Sequence, residues 1–499
     1  MKSRRRPSFR IARNITLAVL AAAVPIAAQP PVQQEASAAD LDSSIRTLAL
    51  QIEKMNATIL ELRSELARSR EEAREIRDEL RRALEKLEGA APAPEAAADD
   101  RLARLEENQQ LLSAKIEEQH QTKVESASRY RVKLSGLVLL NAFANSGRVD
   151  SRETPTRALR GDASYSGARF GAGVRQSDIG FEAYGPELAG SRVGANLRFD
   201  FFGGSEGTYG AGSVRLKTAA VRFDWDRTSI VVGQDVLFMS PLSPSSLSSV
   251  AFPALSYSGN LYAWVPQARV EHRMNASDLD SISIQGGFLY PVANEPPYGV
   301  SAAAPVEAQR QPAYAARLAW AHGDPSRPLT VGISAHYGRQ SYGPGRAQTG
   351  WSGATDWSIP LGSRVGISGE FYRGKALGGL GGGQGRSVLF TGSESDPYSE
   401  IVGVNAVGGW AQMKFRASES VEFNGAYGMD NPFSRDVGRY APQGGYAIPS
   451  RNQSRMVNVI FRPRTDLLFS MEYRRLNTRS ASGETAAADH VNLGVGVLF

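Results

Sequence analysis

The last ten residues alternate. Val491, Leu493, Val495, Val497 and Phe499 form one apolar set, and His490, Asn492, Gly494, Gly496 and Leu498 fall between them. A period of two is that of a strand with one apolar face. An open edge of this kind invites aggregation, and a closed barrel removes the edge by pairing its last strand with its first. The first strand is expected near residues 132–143. The same alternation recurs upstream. Val193, Ala195, Leu197, Phe199 and Phe201 oppose Arg192, Asn196, Arg198 and Asp200, while Leu467, Phe469, Met471 and Tyr473 oppose Ser470, Glu472 and Arg474. Val331, Ile333, Ala335 and Tyr337 oppose Ser334 and His336, and Val421, Phe423 and Tyr427 oppose Glu422 and Asn424. Similar runs lie near 178–184, 219–226, 268–273, 281–290, 313–321, 363–373, 405–416 and 455–462. A soluble sandwich produces alternation too. Two features favour a membrane barrel: several charges on each polar face, and tight connections (Asp226-Arg227, Arg464-Thr465) beside long Gly/Pro/Ser-rich ones. About 370 residues at about 20–25 per strand and loop give roughly 16 strands, a size that leaves an aqueous channel. The expected fold is an all-β transmembrane β-barrel of about 16 antiparallel strands, residues 130–499, preceded by an α-helical coiled coil.

The N-terminal part has a different period. Over residues 41–88, one register runs Ile45, Ile52, Ile59, Leu66, Ala73, Leu80, Leu87 and the other Leu41, Leu48, Met55, Leu62, Ser69, Ile76, Ala83. Spacings of four and three alternate without a break and charges fill the other positions, as in a self-associating coiled coil. The core residues do not choose between two and three strands. A Pro/Ala linker (89–100) and a second, shorter heptad run (101–123) follow. Residues 1–28 read as a secretory signal, with a basic start (Lys2 to Arg13) and an apolar core from Ile15 to Ala28.

Composition narrows the function classes. Past the signal, no stretch is apolar for the ~20 residues that a membrane-spanning helix needs, which leaves a barrel untouched. Cys is absent, as suits an exported chain without disulfides. The pI of 9.4 does not imply nucleic acid. From Tyr130 on, only Lys133, Lys217, Lys375 and Lys414 are Lys, and the Arg residues are scattered rather than clustered. Gly369 to Ala376 approaches a phosphate-binding loop, but Ala376 lacks the hydroxyl and a Gly run (Gly378 to Gly385) follows where a helix belongs. That run reads as a flexible outer loop. His120, His272, His322, His336 and His490 lack metal-ligand spacing, and no nucleophile motif accompanies them. The expectation is a non-enzyme without cofactor or metal.

One stretch carries a resemblance. Gly233-Gln234 ends a strand, the chain is then uncharged from Val236 to Ala268 and rich in Ser, Pro and aromatics, and it closes on Pro266-Gln267-Ala268-Arg269. This resembles the trimeric DcaP-like porins, in which such a segment folds into the pore and an N-terminal periplasmic coiled coil precedes the barrel. The terminal Phe499 is similar to the assembly signal of bacterial outer-membrane barrels. The resemblance implies a homotrimeric outer-membrane channel in contact with outer-membrane lipid, passing small, hydrophilic, anionic solutes. Gln234, Pro266, Gln267 and Arg269 fall on matching positions, but Trp264 stands where the family has Arg, which weakens the inherited anion preference. The alternative for this segment is an outer loop covering a neighbour. Strand parity adds Arg198, Arg222, Arg317, Arg364 and Arg474 to Arg269 and Gln267 as pore-lining candidates, since fixed guanidinium groups speed entry of anions. Beside Asp200, Asp224, Glu370 and Glu472 they would set a transverse field, or else serve only as wall-stiffening salt bridges. A receptor with a globular plug and an adhesin with a shared barrel both fit the segment order poorly. The remaining alternative is a structural anchor whose coiled coil contacts the cell wall.

Overall fold

The computed structural model describes residues 131–499 except 162–167, 205–211, 296–309, 344, 393–395, 397, 441–447 and the side chains of 438–440. The expected signal, coiled coil, linker and second helical run lie outside the described residues. The rest is a closed antiparallel barrel. Its wall strands are β1 (Arg131–Ser146), β2 (Ala168–Gly173 resumed as Asp178–Leu188), β3 (Ser191–Gly203), β4 (Ser213–Asp224), β5 (Thr228–Val236), β6 (Trp264–Asn275), β7 (Asp280–Leu289) and β8 (Ala313–His322). They continue as β9 (Leu329–Ser341), β10 (Ala347–Leu361), β11 (Val365–Lys375), β12 (Asn405–Arg416), β13 (Val421–Pro432), β14 (Arg451–Phe461), β15 (Leu467–Arg479) and β16 (Thr485–Leu498). The sixteen strands bear out the estimate from length.

Each strand pairs with the next, and β16 closes on β1 from Leu137↔Leu498 to Ser146↔Asp489. The seam thus spans Leu137 to Ser146, a few residues beyond the expected 132–143, while Arg131 to Leu137 pair with β2 on the other edge. Phe499 completes it. Its N–H donates to the Gly136 carbonyl at 3.0 Å, and the Gly136 N–H donates back to the Phe499 carbonyl at 2.8 Å. Glycine suits this position, since a Cβ would sit 2.8 Å from the Asp178 carbonyl as well as against the Phe499 ring.

The period-two pattern places apolar side chains outside. Leu493 is 52% exposed while its neighbours His490 and Asn492 are fully buried inside. The outward band is rimmed by aromatics, as membrane barrels are. Phe288, Tyr314, Tyr337 and Trp351 are successive cross-strand partners near one rim. Phe415–Phe423 and Phe461–Phe469 stack near the other, which carries the short turns and Phe499. That end is called the terminal rim below, and the opposite end the loop rim.

Candidate pore constriction

Near the end of β5, Gly233 has φ +136°, and a Cβ there would lie 2.3 Å from the Ala219 carbonyl. Beyond Val236 the chain leaves the wall and enters the barrel. An uncharged sequence is what such a segment needs, because every ion taken inside must be paired. Leu237, Phe238, Met239 and Leu261 pack with Val265, Tyr372, Leu377 and Leu380. Leu255 packs on Trp410 and Met456, and Leu247 and Val250 pack on Leu137, Leu139 and Leu468. The segment therefore reaches inward-facing residues of β1, β6, β11, β12, β14 and β15. Burial on this scale excludes the outer-loop alternative for residues 236–263.

Serine hydroxyls and backbone amides tie it to the wall. Glu370 accepts from Ser240 Oγ at 2.5 Å and from the Leu242 N–H at 2.8 Å. Gln412 accepts from the Ser245 N–H at 2.6 Å. Glu472 accepts from Ser246 Oγ at 2.5 Å and Ser248 Oγ at 2.6 Å. Across the barrel, Gln176 accepts from the N–H groups of Val250 (2.9 Å) and Ala251 (3.1 Å). Arg215 donates to the Ala251 carbonyl at 2.6 Å and Lys217 to the Val250 carbonyl at 3.1 Å. Hydrogen bonds to charged groups contribute about 1.5–3 kcal/mol each, so the segment is held as a fixed strut. Its base is narrow, with Ser240 Oγ 3.0 Å from the Leu261 carbonyl.

The Gly run after β11 is not the flexible loop expected. Gly378, Gly383 and Gly385 are buried, and a Cβ on Gly379 would meet the Val292 carbonyl at 2.3 Å. Gly381, Gly383 and Gly385 have positive φ, so glycine here serves tight packing. Gln384 donates to the Tyr257 carbonyl at 3.0 Å and holds this loop on the inserted segment.

The candidate arginines divide into three groups. Arg269, Arg317 and Arg474 face inward but are buried, as is Gln267. Arg269 bridges Asp235 (2.8 Å) and Glu271 (2.9 Å) and donates to Gln267 at 2.9 Å. Arg317 makes a two-pronged bond to Asp356, and Arg474 meets Glu472 at 2.6 Å and Ser249 Oγ at 2.7 Å. Arg198 and Arg222 stay open, with side chains 53% and 34% exposed. Arg198 is paired with Asp178, and Arg222 lies 2.7 Å from Asp224 and 2.9 Å from Glu271. Arg364 is not on a strand face. β10 ends at Leu361 and β11 starts at Val365, so Arg364 sits exposed in a terminal-rim turn.

Sequence reasoning missed the wall residues that grip the segment, Gln176, Arg215, Lys217 and Gln412. It also missed a cluster at the terminal rim. Glu422 has three cationic neighbours, Lys414 at 3.2 Å, Arg416 at 3.9 Å and Arg462 at 4.0 Å. Three cations against one carboxylate leave an excess of two positive charges. The rarity of Lys in the barrel was the signal available, since Lys217 and Lys414 both fall in these clusters. Trp264, standing where the resemblance puts Arg, receives cations instead: Arg215 lies 5.2 Å and Lys217 5.6 Å from its ring centre.

No family model matches the chain, and no curated protein matches it. Solved structures do. The outer membrane channel DcaP of Acinetobacter baumannii superposes with TM-score 0.58 at 14% identity, covering 76% of this chain and 99% of that one. An anion-selective porin from Comamonas acidovorans gives TM-score 0.48 at 12% identity, over 74% of this chain and 100% of that one. OprB of Pseudomonas putida gives 0.45 at 11%, over 74% and 94%. The first of these defines the likeness, which is one of fold: an outer-membrane β-barrel of the porin type.

Proposed function

We propose that this chain is an outer-membrane diffusion porin for small hydrophilic solutes with a mild preference for anions. The observation that carries this reading is the uncharged, wall-stapled segment inside a sixteen-strand barrel whose inner face is polar. A structural anchor has no need of a segment that narrows its lumen. A channel selects by width and by the charges that line it. The buried arginines are sealed away from the lumen, so selectivity falls to the exposed ones. Arg198, Arg222 and the Lys414–Arg416–Arg462 group are the pore-lining cations in this reading, and Arg269, Arg317, Arg474 and Gln267 shape the lumen by holding its walls. In planar bilayers under a salt gradient, the protein should show steady ohmic steps and a reversal potential on the anion side. Arg198→Glu combined with Arg416→Glu should move that potential toward cations. A protein that passes no current would leave the anchor reading in place of the porin.

The second part of the reading concerns assembly. The unbroken heptads of residues 41–88, together with the resemblance to trimeric porins, support a homotrimer with its coiled coil in the periplasm, where it reaches toward the cell wall. Native mass measurement of the detergent-solubilised protein should give three copies, and removal of residues 41–88 should lower the fraction assembled. A stable monomer at micromolar concentration argues against it.

A further inference from the structure

The outward face of β14 and β15 changes character halfway up the wall. From the terminal rim, the directly opposed outward pairs are Phe461–Phe469, Val459–Met471 and Val457–Tyr473, then Arg455–Arg475, Gln453–Asn477 and Arg451–Arg479. Three apolar rows give way to three polar rows, and two of the polar rows set arginine against arginine. Like charges directly opposed on a sheet repel one another. The outward-facing acid on β13 to β16 is Asp489, which holds Arg475 at 2.5 Å and accepts from the Tyr473 hydroxyl at 2.8 Å. Arg455 lies 5.8 Å over the Tyr427 ring. Among the described residues, no carboxylate pairs with Arg451, Arg455 or Arg479. Four arginines against one aspartate leave three positive charges on one small patch.

Its height on the wall bears on what neutralises it. Tyr427 and Tyr473 are both outward and partly exposed, and aromatic side chains of this kind sit at the boundary between hydrocarbon and headgroup. The arginine rows begin at that boundary and continue toward the loop rim, with apolar rows directly beneath. Guanidinium groups match phosphate oxygens in a two-pronged geometry, and basic patches at this depth recognise phosphorylated headgroups. We infer that Arg451, Arg455, Arg475 and Arg479 form a binding site for a lipid headgroup carrying more than one phosphate, whose acyl chains run down over Val457, Val459 and Met471. A second copy of the chain would have to bring carboxylates to this face. A free anion would make no use of the apolar rows.

The inference rests on the outer-membrane setting of the proposed function and is independent of what the pore conducts. The test uses the full-length protein in detergent, titrated with diphosphoryl lipid A and followed by native mass spectrometry. Monophosphoryl lipid A, phosphatidylethanolamine and inorganic phosphate serve as comparisons. The diphosphoryl lipid should bind most tightly, and inorganic phosphate should not displace it. Arg451→Gln, Arg455→Gln and Arg479→Gln together should weaken binding about a hundredfold, given the contribution of each basic residue at a membrane surface. The corresponding Lys variants should lose less. Heat-modifiable gel mobility should stay unchanged, which shows that the barrel still closes. Equal binding by the Gln variant overturns the site, as does full displacement by inorganic phosphate. A Gln variant that loses subunits while keeping its lipid would make the patch an interface between copies and also overturn it. Lipid binding by a protein that conducts no current would remove the porin reading and leave this site standing.

Discussion

Replacing residues 242–259 with a short Gly-Ser turn should raise the single-channel conductance several-fold. The two ends of the deleted stretch already meet, because Ser240 Oγ lies 3.0 Å from the Leu261 carbonyl. A turn can therefore bridge them without pulling on the wall. A barrel of sixteen strands encloses an aqueous lumen unless something fills it, and here Leu247, Val250 and Leu255 fill it by reaching residues on β1, β12, β14 and β15. The wall should survive the deletion, since its ladders do not pass through the inserted segment. Glu472 would then face water in place of the Ser246 and Ser248 hydroxyls, while Glu370 would lose the Leu242 amide and keep Ser240. Selectivity should weaken as conductance rises, because wall charges act over a wider cross-section. Unchanged conductance would mean that current does not pass beside the segment and that the constriction lies elsewhere.

Arg474→Ala should be the most damaging single substitution in the lumen. Arg474 and Glu472 are almost fully buried and 2.6 Å apart. Breaking a buried pair from one side strands the other charge, at a cost of about 3–5 kcal/mol. Glu472 also holds Ser246 and Ser248, so loosening of the wall would spread to the segment. The expected readings are a lower temperature for loss of heat-modifiable mobility and noisier current at fixed voltage. The paired change Arg474→Gln with Glu472→Gln should be milder, since it removes both charges and leaves no orphan. A wild-type unfolding temperature in Arg474→Ala would show that the guanidinium is solvated, and would return Arg474 to the open pore lining.

Much of this architecture can be read from the chain because the wall is periodic. Alternation such as Val491 to Phe499 fixes which side chains face out, and length fixes the strand number. The uncharged stretch after Asp235 marks itself as the insert by contrast with its neighbours. Parity has a limit, however: it tells which way Arg198 and Arg474 point and nothing of what lies above them. Arg198 stays half open, whereas Arg474 is sealed under Ser248 and Ser249. That difference depends on contacts between residues more than two hundred positions apart, which no local pattern encodes. Arg364 was misplaced for a local reason, since the strand begins two residues later than its apolar run suggests. The Gly run at 378–385 looked flexible because glycine serves both loose loops and close packing, and composition alone does not separate the two uses.

The seam has a consequence for how the wall is made. Its hydrogen bonds join β1 to β16 and Gly136 to Phe499, so stretches at opposite ends of the barrel sequence are each other's obligatory partners. During synthesis and export, β1 has no permanent neighbour on that side until the last strand arrives. Every shorter length of chain presents two raw edges, which attract other strands. Closure is therefore a late, all-or-none event, and it reports on chain integrity: a nonsense mutation or a proteolytic clip near the C-terminus leaves a ribbon rather than a smaller barrel. An assembly machine that holds the first edge and releases it only to β16 would reject incomplete copies without reading any other part of the sequence.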